Sequence, residues 1–291
     1  MIFENLKTAD DLLKNSYIFG DMSDLAYNSS TEIREKLYEK YGVDYSVDVE
    51  YFEDDARSTQ GFCLKTENNI LISFRGTEPS KLKDWMTDLK FRQKDIKLGE
   101  KTYKVHSGFL QSLEEVWDHI FRWVDIRMTN DKKIWITGHS LGGALSSMAL
   151  LKFLDTKWKD QITGIYTYGA PRSVGEELAS YLNEEFSSKI FRFINDEDIV
   201  PHLPPDGGYT ENYDYSHYGT RIHFKDEGFT IDRTLDKHVE DWNESKRNKD
   251  NIISSIILKI VDFTDIKEKI GDHSIKKYKK CCLRKNLFHI E

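Results

Sequence analysis

The sequence predicts an α/β fold, in which a mostly parallel central sheet carries helices on both faces. Short apolar runs typical of buried strands occur at residues 70–74, 134–137, 165–168 and 190–194. Longer segments with apolar residues at helical spacing lie between them, at residues 109–128, 144–153 and 176–186. Strands that alternate with helices are connected by crossovers, and such connections produce parallel sheets.

The remaining segments are consistent with a single domain over residues 1–291. No internal repeat or low-complexity linker divides the chain. Residues 1–41 are predicted to be helical, because leucines and isoleucines are interleaved with charged residues there. Residues 225–272 are dense in charge and contain one apolar run, at residues 252–261. We expect this stretch to be a charged insertion or a peripheral helical excursion within the domain.

Composition and charge bear on partners and location. The net charge is −8 at pH 7 and no long basic stripe precedes the C-terminal region, so no nucleic-acid partner is expected. Three cysteines, two of them adjacent, do not form the pattern of a secreted disulfide framework. The first residues lack the basic and apolar regions of a signal peptide, and no run reaches the roughly 20 apolar residues of a membrane span. These features predict a cytoplasmic protein.

The basic segment at residues 276–285 contains Cys281 and Cys282. It is typical either of a lipidated, membrane-facing tail or of a solvated helix end, so peripheral membrane association stays open as an alternative. The sequence does not indicate an oligomeric state.

Residues 138–142 (Gly-His-Ser-Leu-Gly) carry the clearest signal of chemistry. They follow a β-rich run and precede a helix start made of small residues, which is the context of a nucleophile elbow. Such a turn brings neighbouring backbone too close for a Cβ atom, which explains the glycines. It would project the Ser140 hydroxyl as a nucleophile, and the backbone N–H of Leu141 would donate to the oxyanion. The alternative is an ordinary glycine-rich turn with a solvent-exposed serine.

A serine nucleophile of this type requires an acid and then a histidine, in that chain order. Asp198 follows the strand at residues 190–194 and would lie at the sheet edge where ligands gather. The rival acids are Asp196, Glu197 and Asp206, and the alternative for all four is a solvated acidic loop. The histidines after Asp198 are His202, His217, His223, His238, His273 and His289. From a loop-to-helix junction His273 could reach Ser140 and Asp198 together, but spacing alone leaves the choice of base open.

Five segments together resemble the class 3 lipases, the family of the fungal triacylglycerol lipases within the α/β-hydrolase superfamily. They are residues 72–77 (ISFRGT), 105–109 (VHSGF), 138–144 (GHSLGGA), 168–172 (YGAPR) and 198–205 (DIVPHLPP). The resemblance spans about residues 74–205, in the family's order and at similar intervals, and it implies the α/β-hydrolase fold.

The resemblance also implies roles for individual residues. Asp198 would be the acid of the triad, and Thr77 would supply the second oxyanion donor through its backbone N–H and hydroxyl. His273 would be the base, since the family's C-terminal histidine is often followed by a short helix with an aromatic residue, here Tyr278. His217 resembles a non-catalytic histidine of the family. The segment between Asp198 and His273 is longer than in the fungal enzymes.

After Thr77 the family carries its lid, which corresponds here to residues 78–90. Four apolar residues in this segment have helical spacing: Leu82, Trp85, Met86 and Leu89. The resemblance implies an amphipathic helix that covers the pocket and rolls back at a lipid surface. The alternative is a surface helix that packs its apolar stripe on the core.

These residues predict a serine hydrolase that cleaves carboxylic esters of lipids, such as triacylglycerols, through an acyl-enzyme. The expected partner is a lipid or small-molecule ester, with transient contact to a lipid surface. A short-chain or aromatic esterase with the same triad, and a non-catalytic lipid-binding scaffold, are the alternatives. Acyl transfer to an alcohol instead of water also stays open. No cofactor and no metal are expected, because no cysteine and histidine cluster has the spacing of ligands.

Overall fold

The strands of the protein form two sheets, and helices lie on both faces of the larger one. The computed structural model describes residues 9–43, 48–56, 58–205, 214–225, 228–232 and 270–283. Within them the strands are β1 (Val49–Glu53), β2 (Gln60–Lys65), β3 (Asn69–Phe74), β4 (Gln93–Leu98), β5 (Lys101–His106), β6 (Lys133–His139), β7 (Ile162–Tyr168), β8 (Val174–Gly175), β9 (Ile190–Asn195), β10 (Tyr215–Ser216), β11 (Thr220–Lys225) and β12 (Gly228–Asp232). The helices are α1 (Ala9–Leu25), α2 (Ser30–Tyr41), α3 (Leu82–Asp88), α4 (Ser107–Arg127), α5 (Leu141–Leu154), α6 (Glu176–Phe186) and α7 (Ile275–Cys282).

The larger sheet has the strand order β1-β2-β3-β6-β7-β9-β11-β12. Its central strands, from β3 to β11, pair in parallel, whereas β1, β2 and β12 pair antiparallel at the two edges. The predicted mostly parallel sheet is therefore confirmed, and β3, β6, β7 and β9 contain the four predicted strands. The edge strands were not predicted.

The charged stretch predicted over residues 225–272 begins within the larger sheet. Lys225 is the last residue of β11, and β12 pairs antiparallel with β11 from Gly228 to Asp232. The stretch therefore begins as an edge strand of the sheet and not as a helical excursion. Residues 233–269, which make up most of it, lie outside the described residues.

Two apolar cores lie on the two faces of the larger sheet. On β6, Ile134 and Ile136 belong to one core and Trp135 to the other, because successive side chains of a strand point to opposite faces. Helices α4, α5 and α6 close the first core, and α1, α2 and α7 close the second. The predicted helices at 109–128, 144–153 and 176–186 correspond to α4, α5 and α6, and the predicted helical N-terminal region to α1 and α2.

Local sequence explains several helix ends. Ser29 and Glu32 form a reciprocal capping box that begins α2, and Gly42 ends the same helix in the left-handed conformation. Helix α4 buries eight apolar side chains along one face, which fixes it on the sheet. Among the described residues, no helix is both long and apolar enough to span a bilayer.

The smaller sheet is antiparallel, in the order β10-β8-β5-β4. Its inner residues Tyr103, Val105 and Val174 join the first core beside α4 and α6. The outer residues of β4 and β5 are mostly charged and exposed. This sheet therefore extends the first core at one side of the main sheet.

Helices α1 and α7 are far apart in sequence but pack against each other. Lys279 on α7 lies 2.6 Å from Asp21 and 2.8 Å from Asp24, both on α1. Asp21 is also bonded to Lys40 and Tyr41 at the end of α2. Although burial opposes it, the hydrogen bonds from Lys279 and Lys40 hold the pKa of the Asp21 carboxyl below its usual range. These contacts join the three helices that cover the second core.

Candidate active site

Ser140 occupies a sharp turn between β6 and α5. Its backbone angles are φ 59° and ψ −129°, in a region that residues other than glycine rarely adopt, and its side chain is fully buried. A Cβ atom on Gly138 would lie 2.2 Å from the carbonyl oxygen of Gly142, and one on Gly142 would lie 2.3 Å from that of Phe74. The glycines of the motif therefore leave room for backbone alone, which is the geometry expected of a nucleophile elbow.

Asp198 and His273 form a buried acid–base pair. The His273 Nδ1 atom lies 2.8 Å and 3.0 Å from the two carboxylate oxygens of Asp198, and both side chains are almost fully buried. The backbone N–H of Val200 donates a 2.9 Å hydrogen bond to Oδ1 of Asp198. The carboxylate therefore orients the imidazole so that its Nε2 atom is free to face a nucleophile.

The rival acids and bases lie elsewhere. Asp196 and Glu197 are exposed, and so is His202. The Nε2 atom of His217 donates to the carbonyl oxygen of Pro201 at 2.6 Å, and that of His223 lies 2.9 Å from the carbonyl oxygen of Asp196. Asp206, His238 and His289 lie outside the described residues. Among the described candidate bases, His273 lies within hydrogen-bond distance of Asp198.

Tyr278 supports the acid from α7. Its hydroxyl donates a 2.6 Å hydrogen bond to Oδ2 of Asp198 and accepts one of 3.0 Å from the backbone N–H of Asn195. Burial and the neighbouring Asp198 charge raise the pKa of Tyr278, which keeps the hydroxyl protonated as a donor. The side chain of Asn195 donates to the carbonyl oxygen of Asp272 at 2.9 Å and accepts from the thiol of Cys281 at 3.3 Å. One network thus links the end of β9 to the segment that carries His273.

Sequence reasoning did not assign these supporting roles. The sequence shows Tyr278 only as an aromatic residue in the helix after His273, and it gives no sign of a role for Asn195. The signal available in the sequence is the helical spacing of Ile275, Tyr278 and Cys282 in an otherwise basic segment, and the structure shows all three buried.

Gly169, at the end of β7, lies directly against the acid–base pair. Its φ of +57° is in the left-handed region that favours glycine. A Cβ atom there would lie 2.6 Å from Oδ2 of Asp198 and 2.8 Å from both Cε1 and Nδ1 of His273. The Gly-Ala-Pro-Arg segment therefore holds the pair in place by close backbone contact.

Of the two predicted oxyanion donors, Leu141 directly follows Ser140, and Thr77 follows a glycine that lies against the Ser140 turn. Thr77 follows Gly76, where a Cβ atom would lie 2.3 Å from the carbonyl oxygen of His139 and 3.0 Å from Cβ of Ser140. Leu141 is the first residue of α5, so its backbone N–H lies at the positive end of the helix dipole. The structure thus brings Gly76 and the start of α5 to the same side chain.

Three buried polar atoms of this region have no hydrogen-bond partner within the described part of the chain. They are Oγ of Ser140, Nε2 of His273 and Oγ1 of Thr77. Buried polar atoms are nearly always paired, because an unpaired one costs about 1–3 kcal/mol. A hydroxyl, an imidazole nitrogen and a donor left unpaired in one region are the groups that acyl transfer needs.

The segment predicted as the lid forms a short turn at Pro79–Lys81 followed by α3. Leu82 is buried against Ile199 and Val200, which follow Asp198 in the chain, and Trp85 and Met86 pack on the same cluster. Leu89 follows the helix and is half-buried against the first core. The apolar stripe therefore faces the loop that carries the acid.

No group of three or more histidine, cysteine or acidic side chains in the described residues could hold a metal ion. The cysteines Cys63, Cys281 and Cys282 are buried and form no disulfide.

Comparison with known proteins identifies a family and solved structures that this chain resembles. The model of the family described as lipase (class 3) matches residues 71–208, a range that contains Ser140 and Asp198 and ends before His273. Triacylglycerol lipase OBL1 of Ricinus communis is 26% identical over 295 residues, covering 78% of this chain and 55% of that protein. Secreted mono- and diacylglycerol lipase 1 of Fusarium solani is 33% identical over 151 residues, covering 50% of this chain and 43% of that protein.

The chain therefore spans about half the length of these curated relatives. Among solved structures, lipase II from Rhizopus niveus superposes with a TM-score of 0.68 and 25% sequence identity, over 91% of this chain and 94% of that one. The fold predicted from the sequence is thus the fold of the fungal lipases. Residues 71–208 therefore resemble the class 3 lipase family, and the chain has the α/β-hydrolase fold of its fungal lipase neighbours.

Proposed function

We propose that the protein is a serine hydrolase that cleaves the carboxylic esters of acylglycerols. The observation that carries the proposal is the buried Asp198–His273 pair, whose free imidazole nitrogen lies in the same region as the unpaired hydroxyl of Ser140 on its strained turn. The relatives described above are named as triacylglycerol and as mono- and diacylglycerol lipases, which supports an acylglycerol substrate.

In the proposed reaction, Nε2 of His273 takes the proton of Ser140 while Oγ attacks the ester carbonyl carbon. The carbonyl oxygen becomes an oxyanion, which accepts hydrogen bonds from Thr77 and from the backbone N–H of Leu141. Collapse of this intermediate breaks the bond to the alcohol, which leaves with the proton from His273. A water molecule then gives its proton to His273 and attacks the acyl-enzyme, which releases the fatty acid and restores Ser140.

The electrostatics of the site favour these steps. Asp198 stabilises the imidazolium that forms on His273, and Tyr278 and Val200 hold the carboxylate by hydrogen bonds. Helix α5 directs its positive end toward the developing oxyanion. Because these groups are already in place, little reorganisation is needed when charge develops.

We also propose that α3 is a lid. Its apolar side chains rest on residues 199–200, next to the acid, so displacement of α3 at a lipid surface would uncover the site and present Trp85 and Met86 to the lipid. The second candidate function is hydrolysis of short, dissolved esters. The burial of Leu82 favours it, because a helix anchored in this way can be a fixed part of the core.

For the cellular location we propose the cytoplasm. Free thiols persist in a reducing compartment, and Cys63, Cys281 and Cys282 form no disulfide.

The test compares the protein with Ser140→Ala on p-nitrophenyl esters of increasing acyl length. Ser146→Ala is the matched control, because Ser146 is a buried serine on the same helix whose hydroxyl donates to the carbonyl of Gly142. We expect Ser140→Ala to lose at least about a thousand-fold in kcat while Ser146→Ala keeps activity. Equal hydrolysis by Ser140→Ala and the unmodified protein would contradict the proposed nucleophile.

The substrate is tested with tributyrin below and above its solubility limit and with emulsified trioleoylglycerol. A rise in rate when the emulsion forms supports the lid. Serine-dependent activity that is confined to dissolved short-chain esters supports the esterase instead.

A further inference from the structure

His139, the residue before the nucleophile, connects the base to the N-terminal helix. It is buried at the end of β6. Its Nε2 atom lies 2.6 Å from the backbone carbonyl oxygen of His273, and its Nδ1 atom lies 2.9 Å from the hydroxyl of Tyr27. A carbonyl oxygen can only accept, so Nε2 carries the proton and Nδ1 accepts from Tyr27. The two contacts therefore select one tautomer of His139.

The ring of His139 also packs against the ring of the base. The two ring centroids are 4.5 Å apart, with an angle of 34° between the planes. The backbone N–H of His273 is bonded to the carbonyl of Ile270 at 3.2 Å, and its Nδ1 atom to Asp198. His273 is thus held at its backbone N–H, at its carbonyl and at its side chain, and His139 supplies the second of these contacts.

Both partners keep the protonation states that this arrangement needs. Burial lowers the pKa of His139 well below its usual value, and the neighbouring His273 lowers it further. Burial raises the pKa of Tyr27, so its hydroxyl stays a donor. A neutral His139 does not repel the imidazolium that forms on His273, whereas a charged one beside it would.

We propose that Tyr27 and His139 are positioning residues for the base. Through the hydrogen bond to the His273 carbonyl they fix the backbone of the base, so that Nε2 faces Ser140 while Nδ1 stays on Asp198. This inference rests on the proposed function. It extends the site to Tyr27, which lies two positions after the end of α1 and 112 residues before His139 in sequence.

The first test is Tyr27→Phe, which keeps the ring and removes the donor. We expect kcat on a dissolved short-chain ester to fall roughly ten-fold or more, with KM unchanged, because a displaced base costs rate and not binding.

Tyr41→Phe is the matched control. The Tyr41 hydroxyl donates to Asp21 at 2.7 Å and the residue lies on α2, so the variant loses a comparable hydrogen bond without contacting His139. Its kcat and KM should equal those of the unmodified protein. A purely structural role for the Tyr27 hydroxyl would lower stability in both variants and leave both kinetic readouts unmoved.

The second test separates the two nitrogens of His139. In His139→Gln the amide N–H can reach the position of Nε2 and still donate to the His273 carbonyl, whereas the shorter side chain of His139→Asn cannot. We expect the Gln variant to retain more kcat than the Asn variant. The proposal is overturned if Tyr27→Phe has unchanged kcat, or if the Gln variant is no better than the Asn variant. Failure of these variants alone leaves the proposed function standing, whereas an unmodified protein without Ser140-dependent hydrolysis removes both.

Discussion

Replacing Gly169 with alanine should disable the site and leave the sheet folded. The new Cβ atom would lie 2.6 Å from Oδ2 of Asp198 and 2.8 Å from two ring atoms of His273, whereas ordinary contact begins at 3.4 Å. The carboxylate must therefore retreat by about 0.8 Å and the imidazole by about 0.6 Å. Because a misplacement near 1 Å costs about a hundred-fold in rate, we expect kcat to fall roughly thirty- to a hundred-fold.

The substitution also has a cost in stability that can be measured apart from the clash. Alanine at φ +57° costs about 1–2 kcal/mol, since its Cβ atom crowds the following carbonyl. Gly42→Ala is the matched control, because Gly42 has a φ of +61° and a Cβ atom there would meet nothing within 4 Å. Gly42→Ala should lose the same 1–2 kcal/mol and keep its full activity.

The assay is urea unfolding followed by circular dichroism, together with kcat and KM on p-nitrophenyl butyrate for both variants. The kinetic difference between them then reports the contact with the acid–base pair alone. If Gly169→Ala kept full activity, as Gly42→Ala is expected to, the Asp198–His273 pair would not act in the reaction. If both variants lost activity equally, the effect would come from backbone strain and not from displacement of the pair.

Three further predictions concern the support of the site and the stability of the fold. Tyr278→Phe removes the hydrogen bond to Asp198 and should lower the free energy of unfolding by about 1–3 kcal/mol and also lower kcat, as measured by urea unfolding and ester hydrolysis. Burial lowers the pKa of His106 from 6.5 to about 4, so the unfolded chain binds more protons between these values. The stability that the neutral His106 contributes is therefore complete above pH 6.5 and is lost as the pH falls toward 4. Between pH 7 and pH 5 the free energy of unfolding should fall by about 2 kcal/mol from this group. In His106→Gln the free energy of unfolding should depend less on pH over that interval. Lys279→Met removes one ion-pair partner of Asp21 and should lower the free energy of unfolding, measured with urea, by about 1–2 kcal/mol. The control Lys276→Met changes an exposed lysine of the same helix and should leave the free energy of unfolding unchanged.

The central strands could be predicted from the sequence because both of their faces are buried. Every residue of β3 and β9 is buried, so these strands appear as continuous apolar runs. The strands β4 and β5 carry mostly exposed, charged residues, and their backbone pairing leaves no comparable apolar pattern. The smaller sheet was therefore missed, although its few buried residues join the first core.

In the site, the residues that could be predicted are those whose position depends on local contacts. Ser140 and Asp198 lie in short motifs whose local backbone determines their position. His273 comes much later in the chain, and the spacing of the histidines did not distinguish it from its rivals. Tyr27, Asn195 and Tyr278 belong to the site only through packing between distant segments, which a periodic pattern does not encode.

The pairing of α1 with α7 has a consequence for how long the protein keeps its activity. Helix α7 carries Tyr278 and directly follows His273, and its Lys279 is held to α1 by partly exposed ion pairs. Detachment of this one helix would remove the base and the support of the acid together, while the sheet stayed intact. We expect the working lifetime to be set by the release of α7. Salt should weaken chiefly the more exposed Lys279–Asp24 pair and so shorten that lifetime.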